Sequence, residues 1–265
     1  GLDGRGDGLT DVPFSPGNCA AIGLCARMAP GADFFGYLDP DGDDITFSSD
    51  FAFEDQGSTE NAGLNARIEY ELQSGMSLVS VTDHKSYKKK LFIDVDAAPV
   101  NQLANYGSVD ATSFTQELRL SGGSERSDWV VGAYYLNIDT DSSNALKAPV
   151  DSIFGVIALP ADIVTIARLE TDSYSLFGQY EYELTDSIRL IGGLRGMREE
   201  KDYQVNIGVA PSLGNDQVTY DVGMLIPNAA GTGDPHSYQD DLSETFWTGK
   251  LQVDYAPNDD LLIYA

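Results

Sequence analysis

Ala62-Gly63-Leu64-Asn65-Ala66-Arg67-Ile68-Glu69-Tyr70-Glu71-Leu72 is the stretch whose reading decides the fold. Apolar side chains fall on the even numbers, and polar or charged ones, Gly63 aside, on the odd. A period of two held over 11 residues describes a β-strand with one dry face and one wet face. A turn at Gln73-Ser74-Gly75 follows, and a second strand begins near Met76.

The same unit recurs three times toward the C-terminus. Phe114, Leu118 and Leu120 alternate with Thr115, Glu117 and Arg119; the chain turns within 122–127 and returns over 128–138. Leu176, Tyr180 and Tyr182 alternate with Ser175, Gln179, Glu181 and Glu183 before a turn at 185–187 and a return over 188–198. Trp247, Leu251, Val253 and Tyr255 alternate with Thr248, Lys250, Gln252 and Asp254 before a turn at 257–260. Four hairpins with short turns are therefore expected. The connections between them, roughly 83–112, 139–172 and 199–244, are long, polar and acidic. Soluble domains rarely carry three such loops, whereas outer-membrane barrels alternate short turns with long external loops. Residues 1–61 form a separate acidic, Gly- and Pro-rich region with at most one short strand, near Ile45–Phe53. The expected architecture is all-β: an antiparallel up-and-down transmembrane β-barrel, partial and open, of about eight strands over 62–265.

Composition narrows the function. The 265 residues hold 16 Lys and Arg against 42 Asp and Glu, a formal charge of −26. That sign argues against nucleic acid as a partner, since phosphate binding needs a basic face. No charged-then-apolar leader is visible at the start, and no apolar run approaches the ~20 residues of a spanning helix. If the chain enters a membrane, it does so as a β-barrel. With His84 and His236 as the only histidines and no HExxH, GxSxG, P-loop or GxGxxG pattern, no enzyme and no cofactor is expected.

Aromatic residues sit at both ends of the strands. Tyr70, Trp129, Tyr182 and Tyr255 lie close to the short turns, and Phe114, Tyr135, Tyr174 and Trp247 close to the long connections. Two levels of amphipathic rings are what two membrane–water interfaces select. The expected lipid-facing set is Leu64, Ile68, Tyr70, Leu118, Leu120, Leu176, Tyr180, Tyr182, Trp247, Leu251, Val253 and Tyr255. The expected opposite set is Arg67, Glu69, Glu117, Arg119, Gln179, Glu181, Lys250 and Asp254. Two other architectures share some of these features: a small complete outer-membrane barrel, passive or structural, and a secreted acidic carbohydrate-binding β-sandwich. The sandwich would bury the apolar set between two sheets.

The segments Ser113–Ser121 with Asp128–Tyr135, Ser175–Asp186 with Leu190–Arg195, and Phe246–Tyr264 resemble consecutive hairpins of a TonB-dependent outer-membrane receptor, over about residues 62–265. The resemblance implies a place in the outer membrane of a Gram-negative bacterium. It also implies import of a siderophore-iron complex or a similar scarce nutrient. The partners implied are outer-membrane lipid and lipopolysaccharide, the ferric siderophore, and the TonB energy-coupling protein acting through a plug. Neither plug nor energy-coupling box is visible, and such plugged barrels have about 22 strands, so the chain reads as an internal fragment.

Three smaller motifs complete the reading. Asp39, Asp41, Asp43 and Asp50 stand at positions 1, 3, 5 and 12 of a candidate calcium loop, but Asp44 replaces the usual glycine at position 6, and a solvated acidic loop is the simpler reading. Cys19 and Cys25 are expected to form a small disulfide in an oxidising compartment. Lys85 with Lys88, Lys89 and Lys90 is a basic run, read either as a contact for lipopolysaccharide phosphates or as a solvated strand end.

Overall fold

The computed structural model describes residues 57–95, 103–147, 161–211, 220–227, 235–258 and 260–265. Alternation of the kind just quoted produces eight strands: β1 (Ser58–Glu71), β2 (Ser77–Asp94), β3 (Ala104–Ser124), β4 (Ser127–Lys147), β5 (Ala161–Thr185), β6 (Ile188–Pro211), β7 (His236–Asn258) and β8 (Leu261–Tyr264). They form one sheet in the order β1-β2-β3-β4-β5-β6-β7-β8, every neighbour antiparallel. Among the described residues there is no second sheet, and the only helical element is a 3₁₀ turn at Val222–Met224. No helix there is long and apolar enough to cross a membrane.

The β1–β2 turn shows how tightly the short connections are made. Gly75 takes φ +79°, a left-handed conformation open to glycine at no steric cost. Its N–H donates to the Leu72 carbonyl at 2.9 Å, while the Leu72 N–H donates to Met76 at 2.8 Å. Register shifts mark the β5–β6 and β7–β8 turns, between Glu183 and Thr185 and between Tyr255 and Asn258.

The strands run further than alternation suggested. β2 continues to Asp94 and β3 starts at Ala104, so most of 83–112 is strand. β4 and β5 reach into 139–172, and β6 and β7 into 199–244. In β3, β4 and β5 the apolar residues of these upper segments no longer keep to one face, which blurs the period of two while leaving the hydrogen-bonded ladder intact. The strand ends that flank the connections, at 94 and 104, 147 and 161, and 211 and 236, all lie at the sheet end opposite the short turns.

The molecule's hydrophobic core is small and lies at that upper end. Tyr106, Ala145, Val164, Ala210, Tyr220 and Leu225 are buried together, with Phe92 and Ile166 packed against them. Register places Phe92, Tyr106, Ala145 and Val164 in one cross-strand row. The segment around Tyr220–Leu225 lies over that row as a strap, and its Ile226 N–H donates to the Val209 carbonyl at 2.7 Å.

Candidate functional site: a two-faced wall

Register carries the apolar set onto one face. Ile68 pairs with Ser80, Ser80 with Leu118, Leu118 with Ala133, Ala133 with Leu176, Leu176 with Gly196 and Gly196 with Trp247. The rows nearer the turns add Tyr70, Leu120, Tyr180, Tyr182, Leu251, Val253 and Tyr255 to the same side. These side chains are not buried against anything: Leu251 is 84% exposed and Trp247 70%, and Leu120 alone of the set is half-covered. A soluble sandwich would have buried them, so that architecture is ruled out for the described residues.

The aromatic residues expected at the strand ends occupy two rims of this face. Phe114, Tyr135 and Tyr174 form a continuous row, with ring centroids 6.2 and 5.0 Å apart. Tyr135 donates its O–H to Asp172 at 2.7 Å, toward the upper end. Trp129 pairs with Tyr180, Tyr182 with Leu190, and Tyr255 with Ile188, near the turns. Neither rim is perpendicular to the strands. Through the paired residues, the upper rim slips four residues from Phe114 on β3 to Trp247 on β7, and the lower slips six from Tyr70 on β1 to Tyr255 on β7. Both amount to one residue per strand. A slip of ~3.3 Å per ~4.8 Å strand spacing is a tilt of about 35°, the value at which barrels close. At that tilt the eight residues from Trp247 to Tyr255 span about 22 Å, close to the ~25 Å apolar band of an outer-membrane barrel. Between the rims, no Asp, Glu, Lys or Arg of the described residues points to this face.

The opposite face carries ion pairs of two kinds, between residues two apart on one strand, the interval that keeps both partners on one side, and between neighbouring strands. Arg67 meets Glu69 at 2.8 Å, Arg119 meets Glu117 at 2.6 Å, and Arg189 meets Glu183 at 3.1 Å and Glu181 at 3.6 Å. Gln179 donates to Glu181 and Gln252 to Asp254, and Arg195 reaches Ser175 at 3.0 Å. Glu117, Tyr134, Phe177, Arg195, Thr248 and Lys250 line a hollow of about 610 Å³ here. Phe177 packs against Gly132: a Cβ there would run into the ring and sit 2.8 Å from the Leu118 carbonyl.

The upper strands obey ordinary soluble rules. Lys147 and Asp162, 1% and 0% exposed, form an ion pair at 3.0 Å under the strap. Lys147 also donates to the Tyr220 hydroxyl at 2.6 Å, and Tyr220 donates to Asp162 at 2.7 Å. Burial, reinforced by the Asp162 carboxylate, pushes the Tyr220 phenol well above its usual range. Tyr106 on β3 lies eight residues above Phe114, so at ~3.3 Å per residue and the same tilt this cluster stands about 22 Å beyond the upper rim. Sequence reasoning missed it, because Lys147 and Asp162 fall within a span read as loop and their contact with Tyr220 is long-range.

The basic run does not make one patch. Lys85 and Lys89 alternate to the ion-pair face and Lys88 and Lys90 to the other, where Lys88 is held by Asp110 at 2.9 Å. Lys85 is held by Asp83 at 3.1 Å. Asp39, Asp41, Asp43 and Asp50 and the Cys19–Cys25 pair lie outside the described residues. Among the described residues no group of three His, Cys, Asp or Glu is arranged to hold a metal ion.

One tilted sheet, apolar and double-rimmed on one side and ion-paired on the other, defines the wall of an outer-membrane-type β-barrel. The family model for the TonB dependent receptor-like β-barrel matches residues 11–265, and the chain belongs to that family, whose members are receptors and transporters rather than enzymes. The crystal structure of the ferric yersiniabactin uptake receptor FyuA from Yersinia pestis is similar over 78% of this chain, with 17% identity and a TM-score of 0.52. That match covers 27% of FyuA, so the chain spans about a quarter of that receptor's length. The ferric-catecholate import receptor Fiu from E. coli K12, in its open form, matches 87% of this chain and 38% of its own at 14% identity and a TM-score of 0.48. No curated protein matches.

Proposed function

We propose that this chain is part of the wall of a receptor that imports a ferric siderophore, or a similarly scarce nutrient, across the outer membrane of a Gram-negative bacterium. The family match over 255 residues carries the reading, and the two-faced sheet supports it. The apolar face between the rims meets lipid, the aromatic rims lie at the two lipid–water interfaces, and the strand extensions with their strap project among lipopolysaccharide headgroups outside. The ion-paired face lines the lumen, where a plug linked to the TonB energy-coupling protein would seat. Paired charges suit that position, because a carboxylate or guanidinium costs little in a wet lumen and much in hydrocarbon.

The test is uptake of radiolabelled iron by cells with and without the intact receptor gene, offered a panel of ferric siderophores. One or more should enter only when both the receptor and the energy-coupling protein are present. Uptake of every one unchanged by loss of the gene, with no growth defect under iron limitation, would refute iron import. Uptake that persists without energy coupling would point to a passive pore.

A further inference from the structure

On the ion-paired face most cations are matched. Arg67, Lys85, Arg119, Arg189 and Lys201 each meet a carboxylate. Arg195 and Lys250, between the levels of the rims, meet none among the described residues, and the one other such cation of this face, Lys89, stands far up β2. Register makes the two neighbours, because Arg195 pairs with Thr248 and Lys250 with Gly193. Arg195 donates to Ser175 at 3.0 Å and touches the Met197 sulfur at 4.0 Å, which leaves most of its guanidinium fork open. Both cations line the hollow of about 610 Å³. Gly193 keeps its floor clear: a Cβ there would stand 3.7 Å from the Lys250 Cβ and 3.8 Å from the Gln179 Cβ, ordinary contacts. Phe177 and Val130 give the hollow an apolar wall, and its carboxylate, Glu117, is taken by Arg119 at 2.6 Å.

Two open cations side by side are unexpected in a chain of formal charge −26. Like charges that are neighbours on a sheet repel. An unpaired cation facing water costs little, but one covered without an anion is costly. Whatever fills this hollow must therefore bring negative charge. The donors narrow the class further. A guanidinium fork matches a planar carboxylate through two parallel bonds, and the Lys250 ammonium supplies a second positive charge. The Phe177 ring and Val130 suit an apolar or aromatic body attached to that carboxylate.

We propose that the hollow between Arg195 and Lys250 is an anion site on the luminal wall, taking a carboxylate carried on an apolar or aromatic group. It rests on the luminal reading of this face under the proposed function. Two sources share this chemistry, a free organic acid in the lumen and an Asp or Glu side chain of the domain that fills it. Two arms on the intact receptor in mild detergent distinguish them. In the first, 4-fluorobenzoate is followed by fluorine NMR. A free site should broaden its line, and 4-fluorobenzamide should stay sharp. Arg195→Gln with Lys250→Gln, or Gly193→Val alone, which fills the floor, should cut the broadening about fivefold or more, and Lys85→Gln should leave it unchanged. In the second arm a water-soluble carbodiimide is added without the probe. A receptor carboxylate seated in the site should condense with the Lys250 amine, forming an amide with loss of water. Peptide mass spectrometry should then place the other end of the link outside β1–β8. A positive result in either arm supports the site and names its source. Both arms negative, broadening that survives the double substitution, equal broadening of the benzamide, or a Lys250 link to Glu117 would overturn the proposal. Protection of Leu251→Cys from a water-soluble maleimide, with Cys19→Ser and Cys25→Ser, reports the facing of the sheet by itself, so its failure is distinguishable from failure of the anion site.

Discussion

Leu251→Arg tests the facing of the wall where its energetic consequence is largest. Leu251 is four residues from Trp247 and four from Tyr255, which puts it at the middle of the band, and its side chain is 84% exposed. On a soluble sheet, a change at so exposed a position would fall within about 0.5 kcal/mol. At a bilayer midplane, arginine on the lipid face costs about 2–4 kcal/mol, which at ~1.4 kcal/mol per decade lowers the folded-to-unfolded ratio roughly 30- to 1,000-fold. Gln252→Arg is the internal control, because Gln252 points to the ion-paired face beside Asp254, to which it donates at 2.7 Å. The assay is reversible guanidinium unfolding of the intact receptor in phospholipid vesicles, followed by tryptophan fluorescence. Leu251→Arg should lose about 2–4 kcal/mol and Gln252→Arg less than 1. Equal losses, or the reverse order, would refute the assignment of faces.

Four further outcomes are expected. Lys147→Ala leaves the buried Asp162 carboxylate without its cation and should destabilise the upper strands by about 3–5 kcal/mol, seen as lost hydrogen-exchange protection at 104–108 and 161–166, whereas Lys147→Met with Asp162→Leu should cost far less. The Tyr220 phenol, raised above its ordinary value of 10.0 mainly by burial, contributes fully below about pH 10. That contribution disappears as pH climbs through the raised value, so protease cleavage of the strap should stay constant to pH 9 and increase only in strong alkali. Gly132→Val must displace the Phe177 ring against a fixed backbone carbonyl at 2.8 Å and should cost about 1–3 kcal/mol by the same unfolding assay, while Gly192→Ala, with open space around its Cβ, should cost less than 1. Peptide mapping without reductant should recover Cys19 and Cys25 in one linked peptide; two alkylated free thiols would contradict that pairing.

The lower part of the sheet was legible because one face is apolar and the other ion-paired, which imposes a period of two on most of its strands. Ile68, Tyr70, Leu118 and Leu251 declare their face by their neighbours alone. The upper part was not, because its apolar residues are spread over both faces and mixed with polar ones: Asp139 through Lys147 and Ala161 through Ser173 look like loop and fold as ladder. Lys147 and Asp162 gave no local sign of burial, since the cover that buries them comes from Tyr220, 58 residues beyond Asp162. The inverted strand β2 was hidden for another reason. Val79-Ser80-Val81-Thr82 alternates as well as any strand in the chain, but only the register to Ile68 and Leu118 reveals that its polar half faces outward.

A nitroxide scan of β7 in the intact, reconstituted receptor tests the central claim most directly. Labels placed singly from position 246 to position 255 are compared for collision with oxygen, which concentrates in hydrocarbon, and with a water-soluble nickel chelate. The account predicts a period of two, with oxygen favoured at 247, 249, 251, 253 and 255 and nickel favoured at 248, 250, 252 and 254. Nickel favoured at 251 and oxygen at 250, or no alternation at all, would contradict it.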